Sequence, residues 1–258
     1  MYIISFVVTS YRLKLLPQII KNIEQQTLSP ERVLIYYSSN SWHLDDGIPE
    51  MMIINSFLKI EYICVPNTGS SRKYIHTLEK FRYENKYILF IDDDRTWRPD
   101  VFNILFKTIK NYDLGLVTTC GWSTFAMMKI ENQKNILRTN NIYSHQVNAK
   151  SEVLVASSGW ATLVNNNYID YRLFDKFLQD EFRINETDEI FLSSMIKSKK
   201  YVLPINGKCY CDLDTNIHQW KNEKSSDAKL KQLQLLSLIR KIKWSFQNDN
   251  FYPNSLLS

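Results

Sequence analysis

The chain has little cysteine, with four residues in 258: Cys64, Cys120, Cys209 and Cys211. Their spacing matches none of the common zinc sites. Cys209 and Cys211 could together chelate a soft metal, but two buried, reduced thiols are the simpler interpretation. Because reduced thiols fit a reducing compartment, we expect a cytoplasmic protein.

Long apolar runs are also lacking. No run approaches the roughly 20 residues that a membrane-spanning helix needs. The chain opens directly into a strand-like segment at residues 2–8, without the basic start and apolar core of a secretory signal peptide. The sequence therefore predicts neither a membrane span nor a signal peptide, and any contact with a membrane is expected to be peripheral.

Charge of one sign does not dominate. Lysine plus arginine number 32 and aspartate plus glutamate 27, which gives a net charge of +5. This mild excess permits anionic ligands but does not argue for nucleic acid. The chain also lacks a basic block interleaved with aromatic residues, as a nucleic-acid groove would need. We therefore expect no nucleic-acid partner.

Short apolar runs alternate with segments of helical periodicity along most of the chain. The predicted strands are residues 2–9, 33–37, 60–65, 87–91, 114–119, 153–156, 161–164, 201–203 and 208–211. The predicted helices are residues 13–26, 51–58, 72–83, 100–111, 187–199 and 227–246. Residues 120–150 are rich in asparagine, and we expect them to be irregular. This alternation favours an α/β fold with a mainly parallel central sheet flanked by helices.

The most informative stretch is an apolar run that ends in three acids. Residues 87–91 are followed at once by Asp92, Asp93 and Asp94. Three neighbouring carboxylates repel one another unless a cation lies among them. Asp92 and Asp94 are two residues apart, so in an extended chain they point to the same side. The triplet predicts either a Mg²⁺ or Mn²⁺ site completed by phosphates, at the carboxyl edge of the sheet, or a solvated acidic turn.

The order of these parts resembles the GT-A glycosyltransferases, particularly the family-2-like group. The matching segments are residues 7–12 (VVTSYR), 25–30 (QQTLSP), 90–94 (FIDDD), 159–162 (GWAT) and 187–192 (TDEIFL). The resemblance implies a Rossmann-like GT-A catalytic domain at residues 1–222. Its nucleotide-sugar half is expected at about 1–98 and its acceptor half at 99–222. Residues 223–258 are expected to form a C-terminal amphipathic helix and tail.

The resemblance also implies the donor site. Asp92 and Asp94 would hold Mn²⁺ or Mg²⁺, with His218 as a third ligand. The implied contacts to the nucleotide sugar are Thr9, Ser10, Tyr11, Arg12, Ser39, Arg72, Lys73, Asp92 and Asp93. Many relatives place an aspartate against the base where this chain has Ser38, Ser39 and Asn40. A hydroxyl or an amide would therefore have to contact the base here.

The remaining roles fall in the second half of the chain. Asp188 is the first choice, and Glu189 the second, for the general base that activates the acceptor hydroxyl. The alternative is that these acids only complement a helix dipole. Gly159 and Trp160 are the candidate acceptor residues. The basic C-terminal helix is expected to pack on its own domain or on a second subunit, with a membrane surface as the alternative.

The predicted function is that of a metal-dependent, inverting glycosyltransferase. It would transfer a sugar from a nucleotide sugar to a hydroxyl of a glycan or glycoconjugate. A UDP-sugar is the favoured donor. Two other classes stay open from the residues alone. A Mg²⁺-dependent nucleotidyltransferase uses a similar acidic site, and a non-catalytic carbohydrate-binding relative would keep the acids for structure only.

Overall fold

A computed structural model describes residues 1–42, 45–131, 134–157, 159–179 and 188–213. Its strands are β1 (Tyr2–Val7), β2 (Arg32–Tyr37), β3 (Ile60–Cys64), β4 (Tyr87–Phe90), β5 (Arg95–Trp97), β6 (Leu116–Thr118), β7 (Cys120–Glu131), β8 (Lys134–Tyr143), β9 (Ser151–Val153), β10 (Val155–Ala156), β11 (Thr162–Asn165), β12 (Lys200–Val202) and β13 (Tyr210–Asp212). Its α-helices are α1 (Leu16–Glu24), α2 (Arg72–Lys80), α3 (Val101–Asn111), α4 (Tyr171–Gln179) and α5 (Asp188–Met195). Within these ranges, no helix is long and apolar enough to cross a bilayer.

The central sheet has eight strands in the order β3-β2-β1-β4-β11-β6-β12-β9. The neighbours from β3 to β4 are parallel, as are β6 and β12, whereas β11 runs antiparallel between β4 and β6. This arrangement confirms the predicted α/β fold with a mainly parallel sheet. Since β1 and β4 are adjacent and parallel, the segments that leave their carboxyl ends meet at one edge of the sheet.

The central strands are buried on both faces, which explains why they are mostly apolar. On one face Tyr2, Ile4 and Phe6 of β1 pack with residues of α1 and α3. On the other face Ile3 and Val7 pack with residues of α2, α4 and α5. Each fully buried large apolar side chain contributes about 1.5–3 kcal/mol relative to an exposed one. The two faces together hold β1 and β4 rigidly beneath the loops that follow them.

The helix predicted at residues 51–58 is wrong, since this segment is irregular. Side-chain oxygens bind the backbone amides that a helix would use. The amide of Ile54 donates to the Tyr62 hydroxyl at 3.0 Å, and the amide of Leu58 donates to Ser56 Oγ at 3.1 Å. Such local side-chain acceptors compete with helical hydrogen bonds.

The sequence predicts that residues 120–150 are irregular. This prediction is wrong for most of the segment, because β7 and β8 form a long antiparallel pair. Their register runs from Cys120 opposite Tyr143 to Glu131 opposite Lys134, with a shift between Trp122 and Ala126. Strand β10 extends the pair to three strands. The two strands are consecutive in the chain, but β8 carries Asn135, Asn140 and Asn141, a residue type that is depleted in strands, so its local strand signal is weak.

Two further elements were not predicted, and several predictions lie outside the described residues. Helix α4 and the short strand β5 have no counterpart in the sequence prediction. Thr187 as a helix cap, His218 and the C-terminal helix at 227–246 lie outside the described residues. The helix predicted at residues 187–199 corresponds to α5.

Candidate active site

The acidic triplet lies where β1 and β4 leave the sheet. Ile91 donates its amide to the Ser5 carbonyl at 3.3 Å, which extends the parallel pairing to the first residue after β4. Beyond this point the chain turns, and the three carboxylates diverge. Asp93 and Asp94 are buried, while Asp92 is partly exposed. The triplet therefore forms a largely buried cluster at the sheet edge. The alternative prediction of a solvated acidic turn is wrong for Asp93 and Asp94.

Asp93 connects the segment that follows β4 to the turn that follows β1. Its Oδ2 accepts hydrogen bonds from the Thr9 amide at 3.1 Å and from Thr9 Oγ1 at 3.0 Å. Its Oδ1 accepts from Arg12 Nη1 at 2.8 Å. Thr9 and Arg12 belong to the turn after β1, which continues into a 3₁₀ helix at Ser10–Leu15. Asp93 therefore orients the turn that the sequence assigns to the nucleotide sugar.

Asp92 is held between a buried lysine and a glycine. Lys73 Nζ donates to Asp92 Oδ1 at 2.5 Å, and the lysine side chain is only 1% exposed. On the other side, a Cβ added to Gly159 would lie 1.6 Å from Asp92 Oδ2. Any side chain at Gly159 would therefore displace the carboxylate from its present position. The candidate acceptor residue Gly159 is thus in direct contact with the acidic triplet.

Asp94 lies between two arginines. Its Oδ2 is 3.2 Å from Arg12 Nη2, and its Oδ1 is 3.1 Å from Arg95 Nη1. The Oδ1 contact lacks the alignment of a hydrogen bond, and among the described residues this buried oxygen has no hydrogen-bond partner. The cations that the triplet requires are therefore the side chains of Arg12, Lys73 and Arg95.

The carboxylates at positions 92 and 94 differ in how well their charge is compensated. Burial raises the pKa of Asp94 to about 6, and the negative charge of Asp92 adds to this effect. Burial also acts on Asp92, but Lys73 and Arg95 hold the pKa of Asp92 below its ordinary value. Asp94 is therefore the carboxylate whose negative charge is less well compensated.

A further buried carboxylate, Asp45, lies beside the turn after β1 and was not predicted. Its Oδ1 accepts from the Ser10 amide at 2.9 Å, and its Oδ2 accepts from Arg72 Nη2 at 3.0 Å and from Asn67 Nδ2 at 3.2 Å. Arg72 is only 1% exposed. Asp45 thus connects the turn after β1 to the start of α2, across three separate loops.

The sequence gives no local signal for this role. Asp45 follows β2 by several residues in a loop whose neighbouring Asp46 is exposed. The family pattern directs attention instead to the turn immediately after the strand, where Ser39 is exposed and Ser38 Oγ accepts from the Asn40 amide. Only the tertiary contacts with Ser10, Asn67 and Arg72 distinguish Asp45 from an ordinary loop acid.

We expect Asp45→Ala to destabilise the protein by about 3 kcal/mol, because it leaves the Arg72 guanidinium buried without its charge partner. Denaturant unfolding measures this change. Asp46→Ala removes an exposed neighbouring acid and serves as the matched control, with an expected change within about 0.5 kcal/mol. Equal stability of the two variants would contradict the role assigned to Asp45.

The ion pair of Asp45 and Arg72 should also affect how the stability of the protein depends on pH. Burial opposes ionisation of Asp45, but the Ser10 amide and Arg72 together hold the pKa of Asp45 below its ordinary value. The contribution of this carboxylate is therefore complete above its unfolded pKa and is lost as the pH falls through its folded pKa. Unfolding at a series of acidic pH values should show a smaller loss of stability for Asp45→Ala than for the wild-type protein.

An aromatic group borders the triplet on the side of the second half of the chain. The Arg95 guanidinium lies 4.2 Å from the centre of the Trp160 ring. Tyr210 and Tyr143 meet that ring edge-on, at centroid distances of 4.5 and 5.2 Å. The backbone carbonyl of Trp160 accepts hydrogen bonds from the amide and hydroxyl of Thr119. Trp160 is thus fixed beside the acids and remains partly exposed.

The two candidate base residues begin α5. Asp188 is its first residue, and Glu189 is partly buried. Burial raises the pKa of the Cys120 thiol to about 12, and the charges of Arg95 and Glu189 both act on this thiol. Glu189 at the start of α5 and Arg95 after the triplet therefore both influence Cys120. Tyr11, one of the implied nucleotide-sugar contacts, is partly buried, with the Arg12 guanidinium 5.4 Å from its ring centre.

The residues at the triplet fit a divalent cation. Among the described residues, no three His, Cys, Asp or Glu side chains converge as a complete set of metal ligands. Asp94 Oδ1 is nevertheless buried with no hydrogen-bond partner in that part of the chain, which suits an oxygen that accepts a metal bond. Carboxylate oxygens supplemented by phosphates are the usual ligands of Mg²⁺ and Mn²⁺. A metal with two protein carboxylates is therefore chemically reasonable here.

The chain matches solved structures, although the sequence matches no protein-family model and no curated protein. Residues 1–349 of S. aureus TarS in complex with UDP-GlcNAc align with a TM-score of 0.51 and 12% identity, over 93% of this chain and 66% of that fragment. The complex of the same fragment with UDP aligns with a TM-score of 0.54 and 12% identity, over 93% and 65%. This chain thus spans just under two thirds of the TarS structures. The likeness establishes the fold, and the chain has the Rossmann-like GT-A fold that its sequence predicted.

Proposed function

We propose that this protein is a glycosyltransferase that uses a nucleoside diphosphate sugar, with UDP-sugars favoured, and a hydroxyl of a glycan or glycoconjugate as acceptor. The observation that carries the proposal is the acidic triplet at the carboxyl end of β4, surrounded by Arg12, Lys73 and Arg95. Such a site can bind a diphosphate together with a metal ion. The GT-A fold and the nucleotide complexes of the similar TarS structures support the same assignment.

The donor would bind over the turn after β1. Thr9, Ser10 and Tyr11 are the proposed contacts of the base and ribose, with Ser39 at the neighbouring turn. Arg12 is the proposed diphosphate contact, because its guanidinium is already oriented by Asp93 and Asp94. Lys73 is buried, and the nearby Arg72 pairs with Asp45, so both act on the diphosphate mainly through their charge.

The proposed cofactor is Mn²⁺ or Mg²⁺, held by Asp92 and Asp94, with His218 as a further proposed ligand. When bound, such an ion supplies Lewis-acid stabilisation to the departing diphosphate and orients it. The chain's own contribution is to hold Asp92 against Gly159 and to shield Asp94 from bulk water. Arg12 neutralises part of the charge that develops on the leaving group.

Transfer itself would proceed with inversion. The acceptor hydroxyl attacks the anomeric carbon from the face opposite the diphosphate, and a carboxylate removes its proton. Asp188 is the proposed base and Glu189 the second choice, since both begin α5 on the acceptor side. Gly159 and Trp160 would border the acceptor, where the exposed part of the indole offers a stacking surface for a sugar ring.

A donor panel tests the proposal. We expect UDP-sugars to raise the melting temperature in the presence of Mn²⁺, and one of them to be slowly hydrolysed to UDP and free sugar. Other nucleoside diphosphate sugars should bind more weakly. NMR of the first-formed product reports the anomeric configuration, and inversion is the expected result.

Two other outcomes identify the other functions considered. Release of pyrophosphate from a nucleoside triphosphate and a sugar phosphate would assign a nucleotidyltransferase. Glycan binding without donor binding or hydrolysis would assign a non-catalytic carbohydrate-binding protein. Either outcome contradicts the proposed glycosyltransferase.

A further inference from the structure

A single nitrogen, Arg95 Nη1, faces both carboxylates of the proposed metal site. It lies 3.1 Å from Asp94 Oδ1 and 3.7 Å from Asp92 Oδ2. The other oxygens of these carboxylates point elsewhere, Asp92 Oδ1 to Lys73 and Asp94 Oδ2 to Arg12. The guanidinium of Arg95 therefore lies at the place where one cation can compensate both acids at once.

The contacts of Arg95 with the two acids are weaker than its other contacts. The 3.7 Å distance to Asp92 is too long for a hydrogen bond, and the 3.1 Å contact with Asp94 lacks the required alignment. By contrast, Arg95 Nε donates to Asp212 Oδ1 at 2.9 Å, as a cross-strand pair between β5 and β13. The guanidinium also stacks on Trp160 at 4.2 Å.

Arg95 thus has two sets of partners with different strengths. Asp212 and Trp160 can retain its guanidinium after Nη1 leaves the acids, so release leaves no buried charge without a partner. Asp92 and Asp94 would in turn repel each other once Arg95 leaves, unless another cation replaces it. These two conditions favour an exchange of one cation for another.

We propose that Arg95 is an internal counter-cation that competes with the divalent metal for Asp92 and Asp94. In the metal-free protein it compensates the two carboxylates. Metal binding requires Arg95 Nη1 to withdraw towards Asp212 and Trp160. The inference rests on the metal dependence in the proposed function, and it predicts that Arg95 weakens the affinity for the free ion.

Mn²⁺ titration followed by electron paramagnetic resonance measures this competition on the full chain, without nucleotide or turnover. Arg95→Gln removes the charge and should bind Mn²⁺ about tenfold more tightly than the wild-type protein, within the usual range of coupling between two competing ligands. Arg95→Lys keeps a cation at the position and should bind Mn²⁺ with nearly wild-type affinity. Arg98→Gln is the matched control, because Arg98 pairs with Asp100 rather than with the triplet.

The outcomes separate the inference from the proposed function. Wild-type or weaker Mn²⁺ affinity in Arg95→Gln overturns the competition, as does an equal gain in Arg95→Lys, which would show that charge is not the cause. Absence of Mn²⁺ binding in every variant also overturns it. Calorimetric titration with UDP and UDP-sugars, with and without Mn²⁺, then tests the proposed function independently, since nucleotide binding would persist if only the competition were wrong.

Discussion

Asp188→Asn is expected to lower the turnover of sugar transfer by about 10²-fold or more, with donor affinity nearly unchanged. The substitution keeps the shape of the side chain and removes its basicity. As the proposed base, this residue acts on the acceptor hydroxyl and need not touch the nucleotide. The packing of α5 holds its first residues firmly, since Phe191 and Leu192 are buried against the sheet. Single-turnover transfer and calorimetric donor binding measure the two quantities separately.

Glu189→Gln is the matched control for this prediction. It neutralises the adjacent acid on the same helix and should have a milder effect on turnover. The opposite ranking would move the base by one residue. If neither variant slows transfer, or if the product retains the configuration of the donor, then the inverting mechanism is wrong and the acids only complement the helix dipole.

Asp94→Asn is expected to remove the Mn²⁺-dependent part of UDP binding and to lower turnover by about 10²- to 10³-fold, the usual cost of losing one preorganised charge-stabilising group. The fold should persist. Arg12 keeps its ion pair with Asp93, and Arg95 keeps its ion pair with Asp212. The melting temperature of the variant without ligand should therefore be close to that of the wild-type protein.

The measurement is a thermal-shift series with UDP, with and without Mn²⁺. Asp100→Asn is the control, because Asp100 pairs with Arg98 and makes no contact with the triplet in the described part of the chain. It should retain the full response to Mn²⁺. A variant at Asp94 that still shows this response would contradict the assignment of the carboxylate to the metal.

The sheet was predictable because its central strands are buried on both faces. Strands β1, β2 and β4 are mostly apolar, and α1 and α3 show clear helical periodicity, so local pattern and tertiary environment agree. Residues 51–58 have an apolar composition, and Met51, Ile54 and Leu58 pack against the core. The segment is nevertheless not helical, because the amides of Ile54 and Leu58 bind side-chain oxygens instead. The β7–β8 pair was missed although its strands are consecutive in the chain, because β8 contains Asn135, Asn140 and Asn141, and asparagine is depleted in strands.

The candidate site also combines a feature that is evident from the sequence with roles that stay predictions. The acids at positions 92–94 are evident from the sequence, because charges can follow a doubly buried strand only where it leaves the core. Their roles, with those of Asp188 and Glu189, stay predictions. His218 lies outside the described residues, so its role is a prediction as well.

The sequence by itself determined that this protein has a mainly parallel α/β sheet with three carboxylates at the exit of β4, since both features follow from local hydrophobic pattern. Only the tertiary structure decided how those carboxylates are compensated. Arg12, Lys73 and Arg95 come from three different elements, and Asp45 reaches Arg72 across separate loops. The physical reason is that the energy of a charge depends on distance and burial in space, and the folded sheet sets both.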